Sequence, residues 1–279
     1  MNMMKVALFV FAAHAPLVMA QQATPIPDSV SPSGAGGTAR TGAPAPPPDT
    51  SDSRTMVGVS GSYENLSGTQ PSWHDYNFRL NKNFGGRRIF DGALTRSSRF
   101  DRDDNQISGM YSTPITSQLS GSLQGSYSPT HRVLAKYSLG GAFQYEFTRG
   151  WLGHGGLKTT EFNDVRVNQG LLMLEHYFSN FSWAVALRPS RAFGTGANST
   201  ELRGGYYYGD RNSVSISLSG GREASNVGTG VVLADVRTIA IFGRHWLNNN
   251  WSANYAIGHT RQGDFYNRNG ITVGLDYAF

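Results

Sequence analysis

From Thr55 onward, apolar residues recur at every second position, with small or polar residues between them. Leu119, Gly121, Leu123, Gly125 and Tyr127 share one side of a segment whose other side is Ser120, Ser122, Gln124 and Ser126. Val214, Ile216 and Leu218 oppose Ser213, Ser215, Ser217 and Ser219, and Phe143, Tyr145 and Phe147 oppose Ala142, Gln144 and Glu146. Period two is the period of a β-strand, so each segment has one apolar and one polar face. The pattern predicts about fourteen strands, near 55–65, 73–84, 87–97, 105–113, 118–128, 134–148, 150–161, 166–178, 181–190, 199–208, 213–222, 233–246, 250–260 and 269–279. The count falls to twelve if the 105–128 and 150–178 regions merge.

The connections alternate as well. Phe84–Arg87, Thr148–Gly150, Ser179–Asn180, Gly209–Asn212 and Leu247–Asn250 are short, and longer ones are expected near 66–72, 98–104, 129–133, 162–165, 191–198, 223–232 and 261–268. Outer-membrane barrels have short periplasmic turns, longer outer loops and an even strand number, which returns both ends to the periplasm. The expected fold is therefore all-β: a transmembrane up-and-down antiparallel β-barrel over 55–279. The final strand carries Leu275, Tyr277 and Phe279 on one face and ends on the aromatic, in the manner of the signal that such barrels present to their insertion machinery. Trp151, Trp183, Trp246 and Trp251 fall near the short turns, which suits an aromatic girdle at one membrane interface. Trp73 falls at the opposite end.

The start of the chain reads as an export signal. Lys5 precedes an apolar run, and Val18-Met19-Ala20 places small residues at a cleavage site, so 1–20 is expected to be removed. Residues 21–54 hold seven of the twelve prolines among Gly, Ser, Thr and Asp, and read as a disordered periplasmic linker. Aromatics at 12% and 34 glycines suit a barrel, and the absence of cysteine leaves ladder hydrogen bonds and closure to hold it. The formal charge of +5 becomes +4 without Lys5, with no Lys/Arg cluster to argue for nucleic acid.

Alternation sends Asp75, Asn77, Arg79, Gln124, Lys136, Gln144, Glu146, Glu175, Arg188, Glu201, Arg203 and Asp276 into the lumen. Both signs occur, so ion pairs across the lumen are expected, either plugging a narrow barrel or lining a path for a hydrophilic solute. Tyr206 and Tyr208 read as girdle residues. No cofactor motif emerges: Gly194-Thr195-Gly196 and Gly228-Thr229-Gly230 lack the third glycine of a dinucleotide fingerprint. Asp101–Asn105 begins like a calcium loop, but Gln106 and Ser112 stand where Gly and Glu are needed, so it reads as a charged outer loop. No histidines sit at metal-ligand spacing on one face. Ser128 with His131, or His74 with Asp75, are the pairs from which an outer-rim lipid-modifying enzyme could be built. No catalytic residue is assigned, and the expectation is a non-enzyme.

Several short segments occur in a telling order: Tyr63-Glu64-Asn65-Leu66-Ser67 followed by Trp73, then Ser128–Arg132, Gly221-Arg222-Glu223 with Asn226-Val227-Gly228, Gly243–Trp246 and Gln262-Gly263-Asp264. Together they resemble the YaiO family of outer-membrane β-barrels over 55–279. The resemblance implies a barrel in the outer membrane of a Gram-negative bacterium, in contact with its lipid and lipopolysaccharide. It also implies an accessory role in exopolysaccharide export or envelope organisation, with polysaccharide or its export machinery as partner. It carries over no catalytic residues. The alternatives from the residues themselves are a diffusion pore for small hydrophilic solutes or sugars, and the lipid-modifying enzyme.

Overall fold

The computed structural model describes residues 53–68, 71–163, 165–209, 211–226 and 231–279. The expected signal at 1–20, the linker up to residue 52 and the Gly228-Thr229-Gly230 segment lie outside the described residues. Fourteen strands follow one another: β1 (Arg54–Leu66), β2 (Trp73–Asn83), β3 (Ile89–Arg99), β4 (Arg102–Pro114), β5 (Leu119–Tyr127), β6 (Tyr137–Thr148), β7 (Trp151–Glu161), β8 (Arg166–Phe178), β9 (Phe181–Ala192), β10 (Thr195–Tyr208), β11 (Asn212–Asn226), β12 (Val231–Trp246), β13 (Trp251–Gln262) and β14 (Tyr266–Ala278). Each pairs antiparallel with its sequence neighbours, and β1 pairs with β14 to close the barrel. Closure gives every strand two partners, which is what backbone polar groups require where no water reaches them.

The large exposed side chains form the outer surface. They include Val59, Leu94, Ile107, Leu139, Leu157, Ile216 and Ile271, and Leu157 is 76% exposed. In a soluble protein such a surface would be a liability; against lipid it is the stabilising face. The buried positions that alternate with them are mainly Ser, Thr, Asp, Glu and Arg, so the polar groups are inside.

Most strands run past their expected ends, and several long outer connections shrink accordingly, while the one expected at 129–133 widens to 128–136. Around 98–104 the chain turns on Phe100-Asp101, and around 191–198 on Phe193-Gly194, all four with positive φ. Two consecutive positive φ values match the twist of the flanking strands. A positive φ is costly for phenylalanine. Phe100 is held there by burial against Trp73, with ring centroids 5.1 Å apart. The sequence expectation of uniformly longer outer loops is thus corrected: beyond the apolar belt both faces of a strand are polar, so the ladder continues where the alternation fades. The longest described outer connection is 128–136, between β5 and β6.

Candidate functional site

The lumen wall is built from charge pairs that lie along it. Glu201 accepts from Arg188 Nη1 at 2.6 Å, Arg203 Nη2 at 2.7 Å and Ser217 Oγ at 3.1 Å. Asp75 accepts from Arg99 at 3.0 Å, and Glu64 pairs with Arg268 at 3.2 Å. The fully buried Trp73 sits between these two guanidiniums, 5.0 and 5.1 Å from its ring centroid. That is cation–π distance. Glu175 meets His154 Nε2 at 3.2 Å and accepts from the Tyr177 hydroxyl at 2.9 Å. Glu146 accepts from the Gly150 N–H at 3.1 Å, at the periplasmic turn after β6.

One pair crosses the closing seam. Arg79 on β2 donates to Asp276 on β14 at 2.9 Å, passing over β1 at Gly58, the residue paired with both. A Cβ at Gly58 would collide with the Asp276 carboxylate oxygen. Asn254 donates to the other oxygen of Asp276 at 3.0 Å, and Arg244 stands 3.9 Å from it.

All these pairs join adjacent strands, one strand to itself, or strands one apart. In these pairs register sets acid beside base along the wall, on the same strand or on strands next to or one removed from each other. A cavity of about 210 Å³ lies on the β2–β7 side, lined by Asn77, Arg79, Asp91, Thr95, Gln106, Gln124 and Lys158 among others. Val133 and Leu134 of the 128–136 connection also line it. That connection is pinned inward, because one oxygen of the buried Asp104 accepts the N–H groups of Val133 at 2.6 Å and Leu134 at 2.8 Å. Two apolar clusters pack at the same outer mouth. One is Leu66, Trp73, Phe100 and Tyr266, and the other Ala135, Phe162, Val165, Val167 and Ala192.

Asp75, Arg79, Glu146, Glu175, Arg188, Glu201 and Arg203 thus face the interior. Lys136 does not: it precedes β6 and is exposed, so strand parity no longer governs it. Trp151, Trp183 and Trp251 face outward. Trp151 packs edge-on against Trp183 at 5.6 Å and stacks on His176 at 4.1 Å, while Trp251 and Phe279 each lie 4.9 Å from Tyr277. Trp246 leaves the girdle. It shares a face with Arg244 and is flanked by the guanidiniums of Arg211 at 3.9 Å and Arg54 at 4.9 Å. Leu275, Tyr277 and Phe279 line the outer face of β14, and the Phe279 N–H donates to Thr55 O at 2.8 Å.

The candidate enzyme pairs do not assemble. Ser128 is buried with its hydroxyl donating to Asn105 O at 2.6 Å, and His131 Nδ1 approaches the Ser128 carbonyl rather than its hydroxyl. His74 and Asp75, successive residues of β2, point to opposite faces. Asp101 completes the turn before β4 and Arg102–Asn105 are the first residues of that strand, and no group of three metal-binding side chains occurs among the described residues. Sequence reasoning missed His154 and Lys158, because the glycines of β7 blur its alternation, and Asp91, Arg99, Arg244 and Arg268, whose parity was readable.

A family model described as the YaiO membrane beta barrel domain matches residues 54–226. Among solved structures, the CymD monoaromatic hydrocarbon channel is 10% identical with a TM-score of 0.53, over 81% of this chain and 87% of that one. The anion-selective porin from Comamonas acidovorans is 11% identical with a TM-score of 0.45, over 82% and 99%. A bacterial polysaccharide outer membrane secretin is 11% identical with a TM-score of 0.48, over 81% and 97%. At 10% identity the likeness to the CymD channel speaks for the barrel fold alone. No curated protein matches the sequence.

Proposed function

This chain belongs to the YaiO family of membrane β-barrels, and from that premise we propose that it is a narrow, weakly charge-selective diffusion channel of the outer membrane for small hydrophilic solutes, with sugars the best-fitting class. The observation that carries this is the charge-balanced wall. Glu201, Asp75, Glu64 and Asp276 are each matched by arginine along the wall, so no strong field of one sign faces the open side. Beside the charged groups and the apolar Met110, Val133, Leu134 and Phe162, the cavity is lined by amide and hydroxyl groups: Asn77, Thr95, Gln106, Ser108 and Gln124. Such groups exchange hydrogen bonds with a neutral polar solute in place of water. The 128–136 connection narrows the outer mouth.

The test is single-channel recording of the refolded protein in a planar bilayer. A small, steady conductance with weak ion preference is expected. A silent bilayer from protein that a heat-modifiable band shows to be folded would overturn the reading. The same hydroxyl and amide wall supports a second reading, an accessory role in exopolysaccharide export or envelope organisation. Its test is deletion, which should then alter surface polysaccharide. In either case Leu275, Tyr277 and Phe279 act as the signal to the insertion machinery, and outer-membrane lipid is the surrounding partner.

A further inference from the structure

The ladder register over β11–β14 sorts the outward residues into rows. The row Ile271, Ile257, Ile241 and Ile216 is wholly apolar. One step toward the outer mouth come Asn269, His259, Ile239 and Leu218, and one step further Asn267, Arg261, Arg237 and Gly220. Arg237 and Arg261 are therefore direct cross-strand partners, both exposed, at the upper edge of the lipid-facing belt. Like charges directly opposite each other destabilise a strand pair.

Elsewhere on this rim two arginines are ion-paired. Arg96 meets Asp103 at 3.2 Å, and Arg166 meets Glu161 at 2.7 Å. On β12–β13 the compensation is poor. Arg261 donates to Gly263 O at 3.4 Å and has as its ion-pair partner the fully exposed Asp264, at 3.6 Å, and Asp235 is taken by Arg222 at 3.4 Å. Arg237 has no ion pair among the described residues. Beside it Gly220 carries no side chain, and a Cβ there would only touch Val236 O at 3.7 Å and Arg237 Cγ at 3.9 Å.

We propose that Arg237 and Arg261 together hold the phosphate of an outer-leaflet phosphoglycolipid, whose acyl chains lie on the isoleucines below. Guanidinium matches phosphate through paired N–H donors, and one phosphate between the two arginines turns their repulsion into attraction. The belt beneath explains why the ligand is a lipid. Two exposed cations hold a free anion weakly in water, whereas acyl chains already seated on Ile257 and Ile239 keep the phosphate at the rim.

The experiment measures thermal unfolding of the refolded full chain in micelles with three additions: bisphosphorylated lipid A, the same lipid dephosphorylated, and inorganic phosphate. Only the first should raise the unfolding temperature. Arg237→Gln and Arg261→Gln should each weaken the half-saturating concentration about threefold, as for loss of one exposed charge contact. The double variant should lose the response. Without lipid A both single variants should unfold no lower than the parent, because a repulsion has been removed. Arg191→Gln, an exposed arginine of β9 away from the row, should respond like the parent. An undiminished response in the double variant, or an equal response to the dephosphorylated lipid or to inorganic phosphate, would sink the assignment. Native mass spectrometry of the parent gives a check that needs no variant: it should retain the phosphorylated lipid A and shed the other.

Discussion

Glu201→Gln is the sharpest probe of the lumen wall, because it removes one charge and almost no volume. The carboxylate is 5% exposed and holds two arginines, Arg188 at 2.6 Å and Arg203 at 2.7 Å, whose own side chains are 12% and 20% exposed. Two hydrogen bonds to a charged group contribute ~1.5–3 kcal/mol each, so about 3–6 kcal/mol is at stake in a dry site. The wet side of the wall and the hydrogen bonds that glutamine keeps reduce this to about 2–3 kcal/mol. With a denaturant slope of about 4–6 kcal/mol per M in guanidinium chloride, the unfolding midpoint should fall by ~0.5 M. A second readout separates charge from fold: two uncompensated guanidiniums should move the reversal potential of the channel in a KCl gradient toward anions. If midpoint and reversal potential both match the parent, Glu201 is not the counter-charge of these arginines, and the argument from a balanced wall fails.

Three further outcomes follow from the geometry. Gly58→Ala drives a methyl group into the Asp276 carboxylate, breaks the Arg79–Asp276 pair over β1, and should cost about 2–4 kcal/mol, seen as loss of the heat-modifiable band at lower temperature. Asp104→Asn weakens the two N–H contacts that hold 128–136 inward, so trypsin should cut at Arg132 faster and channel openings should become larger or noisier; unchanged cleavage would show that the connection is held by other contacts. Among single-tryptophan variants, brominated lipid should quench Trp151, Trp183 and Trp251 but spare Trp246, whose ring lies between Arg54 and Arg211; strong quenching of Trp246 would return it to the girdle.

The strand number, the facing of most lumen groups and the closure were all legible, because alternation reports which side of a sheet meets lipid. Ser213–Ser219 and Leu119–Tyr127 state it almost without exception. Where glycines replace the apolar residues, as at Gly153 and Gly155 of β7, the signal drops and His154 and Lys158 go unnoticed. Trp246 misled for a different reason: nearness to a turn suggested the interface, while its parity with Arg244 already pointed inside. The wall pairs were not readable at all. Which acid meets which base depends on the offset between neighbouring strands, and Glu201 finds Arg188 only because Ala186 faces it directly and Ser199 faces Arg188. The length of the outer turns was equally hidden, since residues beyond the belt carry no alternation to mark where pairing stops.

The seam between β1 and β14 also governs how the molecule comes into being. Its ladder sets Met56 against Ala278 and Leu66 against Arg268, nearly the whole barrel apart along the chain, whereas every other ladder joins consecutive segments. Local hairpins form early, and the contact with the greatest sequence separation forms last and slowly. Until then two strands present unpaired N–H and C=O groups, the state most prone to pair with a stranger. The Arg79–Asp276 contact straddles this last joint, so it latches the circle at the moment of completion and slows the first step of its opening.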